Sequence, residues 1–205
     1  MRRILAALIV AAALAVGGCS PPPVPDVTYF RLPPPAALPH ADQPLSLLPI
    51  EVDTFSAEGV YAEQALIYGV AGDASALRTY HYQLWSDPPS HALQERMVNM
   101  LRTCGIAALV TDRLPASTQA LRIRGTIRRF ERVKAAESYS AAVTVAMRVE
   151  QDEGEPIIER EYKAEVPAAD ATISATVAAF GSAVDQAFAA FYTDLAALQG
   201  DTHAR

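Results

Sequence analysis

The chain contains two cysteines, and the first of them lies in a motif for covalent modification. Val16, Gly17 and Gly18 come directly before Cys19, and an apolar residue followed by two small residues before a cysteine is the pattern of the bacterial lipobox. In that motif the thiol becomes a thioether to diacylglycerol, and the chain is cleaved directly before the cysteine. The spacing therefore predicts that Cys19 is lipidated, rather than a free thiol or a disulfide partner of Cys104.

The residues before Cys19 have the composition of a secretory signal. Arg2 and Arg3 form a positively charged start, and residues 4–16 are an uninterrupted apolar run of 13 residues. A membrane-spanning helix needs about 20 such residues, so this run is too short to remain as an anchor. We therefore expect residues 1–18 to be a cleaved signal peptide.

The residues from Cys19 onward predict where the protein is held and at what distance. Ser20 stands where lipoproteins retained at the inner membrane commonly have Asp, which favours the periplasmic face of the outer membrane. Two or three acyl chains make attachment to that leaflet stable, because each buried methylene contributes about 0.8 kcal/mol. Residues 19–26 are rich in proline. As an extended tether they could hold the following domain roughly 20–25 Å from the lipid headgroups.

No arrangement of residues in the sequence predicts catalysis, a metal site or a bound cofactor. The four histidines lie in different segments, and none belongs to a metalloprotease, hydrolase or phosphate-binding motif. Cys104 falls on the apolar face of a predicted helix, where a thiol is a small core residue. The acidic turn at residues 151–155 lacks the alternating ligands of a calcium loop. We therefore expect a binding protein and not an enzyme.

The charge of the mature chain limits the class of partner. Arg2 and Arg3 are two of the 17 basic residues, so removal of the signal leaves 15 against 23 acidic ones and a formal charge of −8. No polybasic block remains that could bind nucleic acid or an anionic surface by long-range attraction. The expected partner is a protein or an apolar molecule.

Periodicity along the chain predicts the elements that must position any functional side chain. Alternating apolar residues predict strands, and apolar residues three and four apart predict helices. The predicted strands cover 27–32, a segment within 45–55, 66–70, 77–84, 106–110, 121–133, 139–150 and 156–166, and the predicted helices cover 87–103 and 170–198. This order predicts a single α+β domain over residues 27–199, with a mixed, mostly antiparallel sheet and two main helices packed on it. Residues 200–205 are expected to be a flexible tail.

Three aromatic residues of one predicted strand are candidate contact residues. Tyr80, Tyr82 and Trp85 lie close together in "TYHYQLW". They are interpreted either as core packing or as a surface that contacts a protein or lipid, because aromatic residues are enriched at binding hot spots.

Three arginines form a second candidate surface. Arg124, Arg128 and Arg129 belong to "RIRGTIRRFERVK", residues 122–134, which holds six basic residues in an acidic protein. One interpretation is the solvated face of an edge strand, where charges discourage aggregation. The other is a patch that is complementary to an acidic partner.

The middle of the chain resembles a known family. "YHYQLWSDPPSHALQERMVNMLRTCGI", residues 80–106, combines an aromatic strand that ends in Trp with a Pro-containing helix start, an amphipathic helix and a small-residue break. An early strand at 29–32 and the Leu66 and Tyr68 pair in "ALIYGV" add to the match. With the lipobox, this pattern resembles the ABC-type transport auxiliary lipoprotein family, which contains the paraquat-inducible protein C lipoproteins.

The resemblance implies a role that the residues alone do not predict. Such lipoproteins accompany an ABC permease and ATPase with a mammalian-cell-entry (MCE) protein, in systems that move phospholipids or other hydrophobic molecules between membranes. The family has no known catalytic residues, so the resemblance implies a functional role for Cys19 alone. The hypothesis is an outer-membrane component that docks the periplasmic MCE assembly, and a homo-oligomeric collar is one form this could take. The alternative is a structural lipoprotein that helps to assemble another envelope complex.

Overall fold

The computed structural model describes residues 24–36, 40, 44, 46–151 and 155–202. The predicted signal peptide, the lipidation of Cys19 and the first part of the proline-rich tether lie outside these residues. The strands are β1 (Thr28–Phe30), β2 (Ile50–Val52), β3 (Ser56–Ala57), β4 (Ala65–Val70), β5 (Asp73–Trp85), β6 (Val110–Thr111), β7 (Leu121–Lys134), β8 (Tyr139–Gln151) and β9 (Pro156–Pro167). The helices are α1 (Pro89–Thr103) and α2 (Ile173–Thr202), and a 3-10 helix covers Gly59–Ala62.

Strand β7 is the centre of a mixed sheet that has nine strands among the described residues. β8 runs antiparallel to β7 along its whole length, and β9 continues the sheet beyond β8. The other edge of β7 pairs in parallel with three short strands in turn: β2 near its start, β3 at its middle and β4 near its end. β5 and β1 extend the sheet from β4, and β6 extends it from β2. The antiparallel pairings are the longest, and the predicted α+β fold class is confirmed.

Alternation of apolar and charged residues gives β7 two different faces. Ile127 and Phe130 are buried, whereas Arg124 and Arg128 are exposed on the opposite face. A bulge between Ile127 and Arg129 restores the alternation after two consecutive arginines. The interpretation of this segment as an edge strand is wrong, because β7 is hydrogen-bonded to strands on both sides. The arginines therefore lie on the open face of the sheet and not along its rim.

Both helices cover the buried face of the sheet. Leu93, Met97 and Leu101 of α1 are buried, as their spacing predicts. α2 buries a longer apolar stripe that includes Phe180 and Phe188. The buried side chains of both helices and of the sheet form one hydrophobic core. None of the helices in the described ranges is both long and apolar enough to cross a membrane.

The start of α1 differs from the prediction by two residues. The predicted helix begins at residue 87, whereas α1 begins at Pro89 and Pro88 occupies the N-cap position, with φ −53° and ψ 139°. The reason is Pro89, because a residue that precedes a proline is excluded from the helical region. The Asp87 carboxylate accepts a hydrogen bond from Ser86 Oγ at 2.9 Å.

Other predicted boundaries hold or shift by a few residues. Gly105 ends α1 in the left-handed region at φ +66°, as predicted. The strand predicted at 106–110 is shorter, since only Val110–Thr111 forms β6 and Ala107 makes an isolated bridge to Ser46. α2 continues through Thr202, three residues into the segment that was expected to be a tail.

Candidate functional site

Trp85 lies in an aromatic cluster at the centre of the core. Its ring centroid is 5.3 Å from that of Phe130 in β7 and 5.3 Å from that of Phe180 in α2. The Trp85 side chain is buried. The structure therefore places this candidate contact residue in the core, and Tyr80 and Tyr82, both half-buried, nearer to the surface.

An extended, proline-rich segment crosses the helices next to this cluster. Residues 31–36, called the strap below, follow β1 and pass over both helices. Pro33 lies on Gly181 of α2, where a Cβ atom would be only 2.3 Å from Pro33 Cγ. Glycine at this helical position therefore allows the strap to lie directly on the backbone of α2.

An ion pair between the buried Arg96 and the half-buried Asp185 joins the strap to both helices. Arg96 of α1 donates from Nε and Nη2 to Asp185 Oδ1 of α2, at 2.9 and 2.7 Å. Arg96 Nη1 donates to the carbonyl oxygen of Pro33 at 2.5 Å, and the amide of Ala36 donates to Asp185 Oδ2 at 2.9 Å. One pair thus holds three segments that are distant in the sequence. Sequence reasoning missed it, although both charged residues occupy positions within the apolar stripes of predicted helices.

The strap, the start of α1 and the end of β5 enclose a groove of about 570 Å³. Trp85 and Phe130 form its floor, and Leu32 and Ala92 are among its apolar walls. This volume is in the range of pockets that bind small molecules or short segments. The groove can accommodate an apolar group, and it brings Trp85 to a concave surface next to the strap.

A second cluster surrounds Tyr80, near the middle of β5. The guanidinium of Arg132 lies 3.6 Å above the centre of the Tyr139 ring. Arg132 Nη1 donates to the Tyr80 hydroxyl at 2.6 Å, and Nη2 donates to the Ala171 carbonyl oxygen at 2.5 Å. The Arg132 side chain is buried, its Nε has no hydrogen-bond partner, and no carboxylate among the described residues forms an ion pair with it. The cluster therefore holds a buried positive charge that the described residues do not neutralise by an ion pair.

The three candidate arginines lie on the open face of the sheet, and each is already paired. Arg124 lies 2.9 Å from Asp53 and also bonds to Glu150. The other pairs are Arg128 with Glu58 at 3.7 Å and Glu161 at 3.3 Å, and Arg129 with Glu131 at 2.7 Å and Glu165 at 3.8 Å. A patch complementary to an acidic partner was one of two interpretations of these arginines, and the structure places carboxylates beside all three, in a surface of alternating charges.

Burial shifts the pKa of a cysteine and of a tyrosine of the core toward the uncharged form. Burial raises the pKa of the Cys104 thiol, which keeps it protonated at neutral pH. Burial and a 2.5 Å hydrogen bond to Glu131 raise the pKa of Tyr61 well above its usual value. Among the residues that the structure describes, no three His, Cys, Asp or Glu side chains are grouped as metal ligands. The features that stand out are the groove, the Tyr80 cluster and the charged open face.

Comparisons with known proteins give one family and one fold. A family model described as the ABC-type transport auxiliary lipoprotein component matches residues 30–190. The crystal structure of protein XCC0632 from Xanthomonas campestris, assigned to the family model DUF330, superposes with a TM-score of 0.71 at 18% identity. The match covers 85% of this chain and 99% of that one.

A second crystal structure, of an uncharacterised protein, has a TM-score of 0.63 at 14% identity and covers 83% of this chain and 99% of the other. At these identities the two structures show the shared fold alone. No curated protein has a significant match to the sequence.

Proposed function

Because the chain belongs to the family of ABC-type transport auxiliary lipoprotein components, we propose that it docks the periplasmic MCE assembly of a lipid transport system at the outer membrane. In this role it catalyses no reaction and needs no cofactor. It holds other components in place from the periplasmic face of the outer membrane. Its cargo is a phospholipid or another hydrophobic compound that moves between the two membranes.

The family match carries this proposal. It extends over residues 30–190, which is nearly the whole predicted domain, and it agrees with the resemblance of residues 80–106. The lipobox at Val16–Cys19 supports attachment to a membrane through acyl chains. The described residues contribute binding surfaces that suit a docking component.

Each surface has a chemically suited partner in the proposed assembly. The groove beside the strap fits an apolar segment, whereas the open face with Arg124, Arg128 and Arg129 fits a protein surface of mixed charge. We assign these contacts to the MCE protein, through which the chain is joined to the permease and ATPase complex, and to further copies of this chain.

Affinity purification of the full chain from a detergent-solubilised envelope tests the proposal. We expect mass spectrometry to recover an MCE-domain protein together with the permease and ATPase. Recovery of a different envelope complex without any MCE protein would contradict lipid transport and would support a structural lipoprotein instead.

A pair of cysteine variants tests the anchor in the same cells. Cys19→Ala removes the lipidated thiol, so we expect an uncleaved precursor that is absent from the outer-membrane fraction. Cys104→Ala is the matched control, because it removes the buried thiol and leaves the lipobox intact. Normal outer-membrane fractionation of Cys19→Ala would refute the lipid anchor.

A further inference from the structure

The direction of β1 determines which end of the domain is nearest to the anchor. β1 runs parallel to β5, with Thr28 opposite Gln83 and Phe30 opposite Trp85. The chain before Thr28 therefore comes from the end of β5 that begins at Asp73. That end of the domain, called the hairpin end below, is formed by the turns between β4 and β5, between β7 and β8, and between β9 and α2.

The length of the tether favours the same end. Eight residues separate Cys19 from Thr28, and the chain between the two reaches about 30 Å when fully extended. The fourteen residues of β7 extend over about 45 Å. To bring the opposite end to the anchor, the tether would have to reverse its direction and cover most of that length.

The hairpin end exposes apolar side chains. Val70 and Leu77 of the β4–β5 hairpin are large hydrophobic residues with 44% and 41% of their surface exposed. Val24 and Val27, on the incoming chain, are exposed as well. Apolar side chains on a hairpin can enter the boundary between headgroups and acyl chains, where their burial is favourable.

The hairpin end also has two exposed cations, Arg78 and Lys134, for which no salt bridge is found among the described residues. The charge of Arg78 is felt by Asp73 in the β4–β5 turn, where it adds to the hydrogen bonds from Ser75 that lower the pKa of that carboxyl group. The acidic residues of this end include Glu137 in the β7–β8 turn and Asp73 and Asp170, which accept hydrogen bonds from Ser75 and Thr172 in their own turns.

The buried charge of Arg132 is an independent observation at the same end. Its side chain is 5% exposed, has an unpartnered Nε and lacks a carboxylate among the described residues. It donates to the carbonyl of Ala171, two residues before the start of the 30-residue helix α2. The amino terminus of a helix is the positive end of its dipole, so both features favour an anionic group outside this surface.

We propose that the hairpin end lies against the phospholipid bilayer that holds the anchor. Val70 and Leu77 enter the headgroup boundary, and Arg78 and Lys134 contact lipid phosphates. The proposal rests on the lipid anchor of the proposed function and adds an orientation to it. The domain is then closer to the headgroups than the 20–25 Å that an extended spacer at about 3.1 Å per residue would give.

Two tryptophan variants of the full lipidated chain test this orientation. Leu77→Trp reports on the hairpin end, and Leu109→Trp is the matched control at the opposite end, since the two leucines are 41% and 49% exposed. Both proteins retain the buried Trp85 as a common background. Each is reconstituted in vesicles of phosphatidylethanolamine and phosphatidylglycerol with brominated acyl chains. We expect the added indole of Leu77→Trp to be quenched several-fold more than that of Leu109→Trp, with emission shifted to shorter wavelength.

Each other outcome overturns the orientation in a distinct way. Weak quenching of both variants would mean that the tether holds the domain away from the bilayer. Stronger quenching of Leu109→Trp would place the opposite end at the membrane. Flotation with the vesicles reports separately on the anchor, and a processed chain that does not float would contradict the proposed function as well.

Arg78→Glu combined with Lys134→Glu tests the contact with phosphates. In the Leu77→Trp background we expect this pair of substitutions to reduce the quenching several-fold. Unchanged quenching would show that Arg78 and Lys134 do not contact the lipid phosphates.

Discussion

Arg96 and Asp185 are the two residues whose charges link the most distant parts of the chain. Their side chains are 6% and 22% exposed, so both charges lose much of their hydration when the domain folds. The two hydrogen bonds between them and the contacts to Pro33 and Ala36 compensate for that loss. Removal of one partner leaves the other charge buried, which makes this pair a sensitive position.

Asp185→Asn should therefore destabilise the protein. The amide keeps the shape of the carboxylate but leaves the Arg96 guanidinium without a counter-charge, at a cost of about 3 kcal/mol in the free energy of unfolding. Urea unfolding of the mature chain at neutral pH measures this cost. Arg160→Ala is the matched control, because Arg160 pairs with Asp194 while its side chain is 65% exposed, and we expect a change below about 1 kcal/mol. Equal changes in the free energy of unfolding for the two variants would show that the burial of Arg96 does not make its ion pair more important for stability.

At the scale of elements, sequence periodicity predicted which face of a strand is buried better than it predicted which strands pair with each other. The alternation in β7 and β8 marked apolar residues of the core face such as Ile127 and Val145, because side chains on a strand point to opposite faces in turn. It did not mark Glu150, which was expected to face outward and is only 3% exposed. The alternation within one strand does not indicate which other strands pair with it in the sheet. β2, β3 and β4 meet β7 from separate parts of the chain, and the sequence therefore did not reveal that β7 is central.

The same limit explains which site residues the sequence could indicate. Trp85 was identified because aromatic residues are conspicuous in a strand, but its burial depends on Phe130 and Phe180, which are far away in the sequence. Arg96 and Asp185 are 89 residues apart, and a charge within an apolar stripe marks an unusual position without naming its partner. Cys19 was recognised from local sequence alone, because the lipobox is contiguous.

Gly181→Ala tests the contact between the strap and α2. Alanine favours the helix by up to about 1 kcal/mol over glycine, but its Cβ would overlap Pro33, so the strap must move away. The strap forms a wall of the groove whose floor includes Trp85, the single tryptophan of the chain. We expect the Trp85 emission to shift to longer wavelength and acrylamide quenching to increase.

Ser182→Ala is the control for this change, since Ser182 is exposed on the neighbouring position of the same helix. Its fluorescence should match that of the unmodified protein. If Gly181→Ala also left the fluorescence unchanged, the strap would not be what covers Trp85.

At the scale of the whole molecule, the formal charge of −6 gives no indication of how regularly charges of both signs are arranged on the surface. Arginines of β7 and β8 lie opposite glutamates of β9 on the open face of the sheet, for example Arg128 with Glu161 and Arg148 with Glu159. A hydrogen bond from Lys163 is the main cause that holds the pKa of Glu161 below its usual value, and Arg128 adds to it. The Glu161 carboxylate is therefore ionised at neutral pH, and the open face offers a pattern of both signs to a partner.

Charge reversal on this face separates a docking role from a purely structural one. Arg128 is 49% exposed, and its pairs with Glu58 and Glu161 are solvent-screened, so Arg128→Glu should lower the free energy of unfolding by no more than about 1 kcal/mol. If the open face binds acidic groups of a protein partner, the variant should retain several-fold less of that partner in affinity purification at low salt. The difference in retained partner should become smaller as the salt concentration is raised, because salt screens the charges.

Arg160→Glu is the control, because it makes the same change in net charge at an exposed arginine on the helix-covered side of β9. We expect this variant to retain the partner normally. Equal retention by both variants would exclude the arginine face as the docking surface and would leave the groove and the ends of the domain to make the contact.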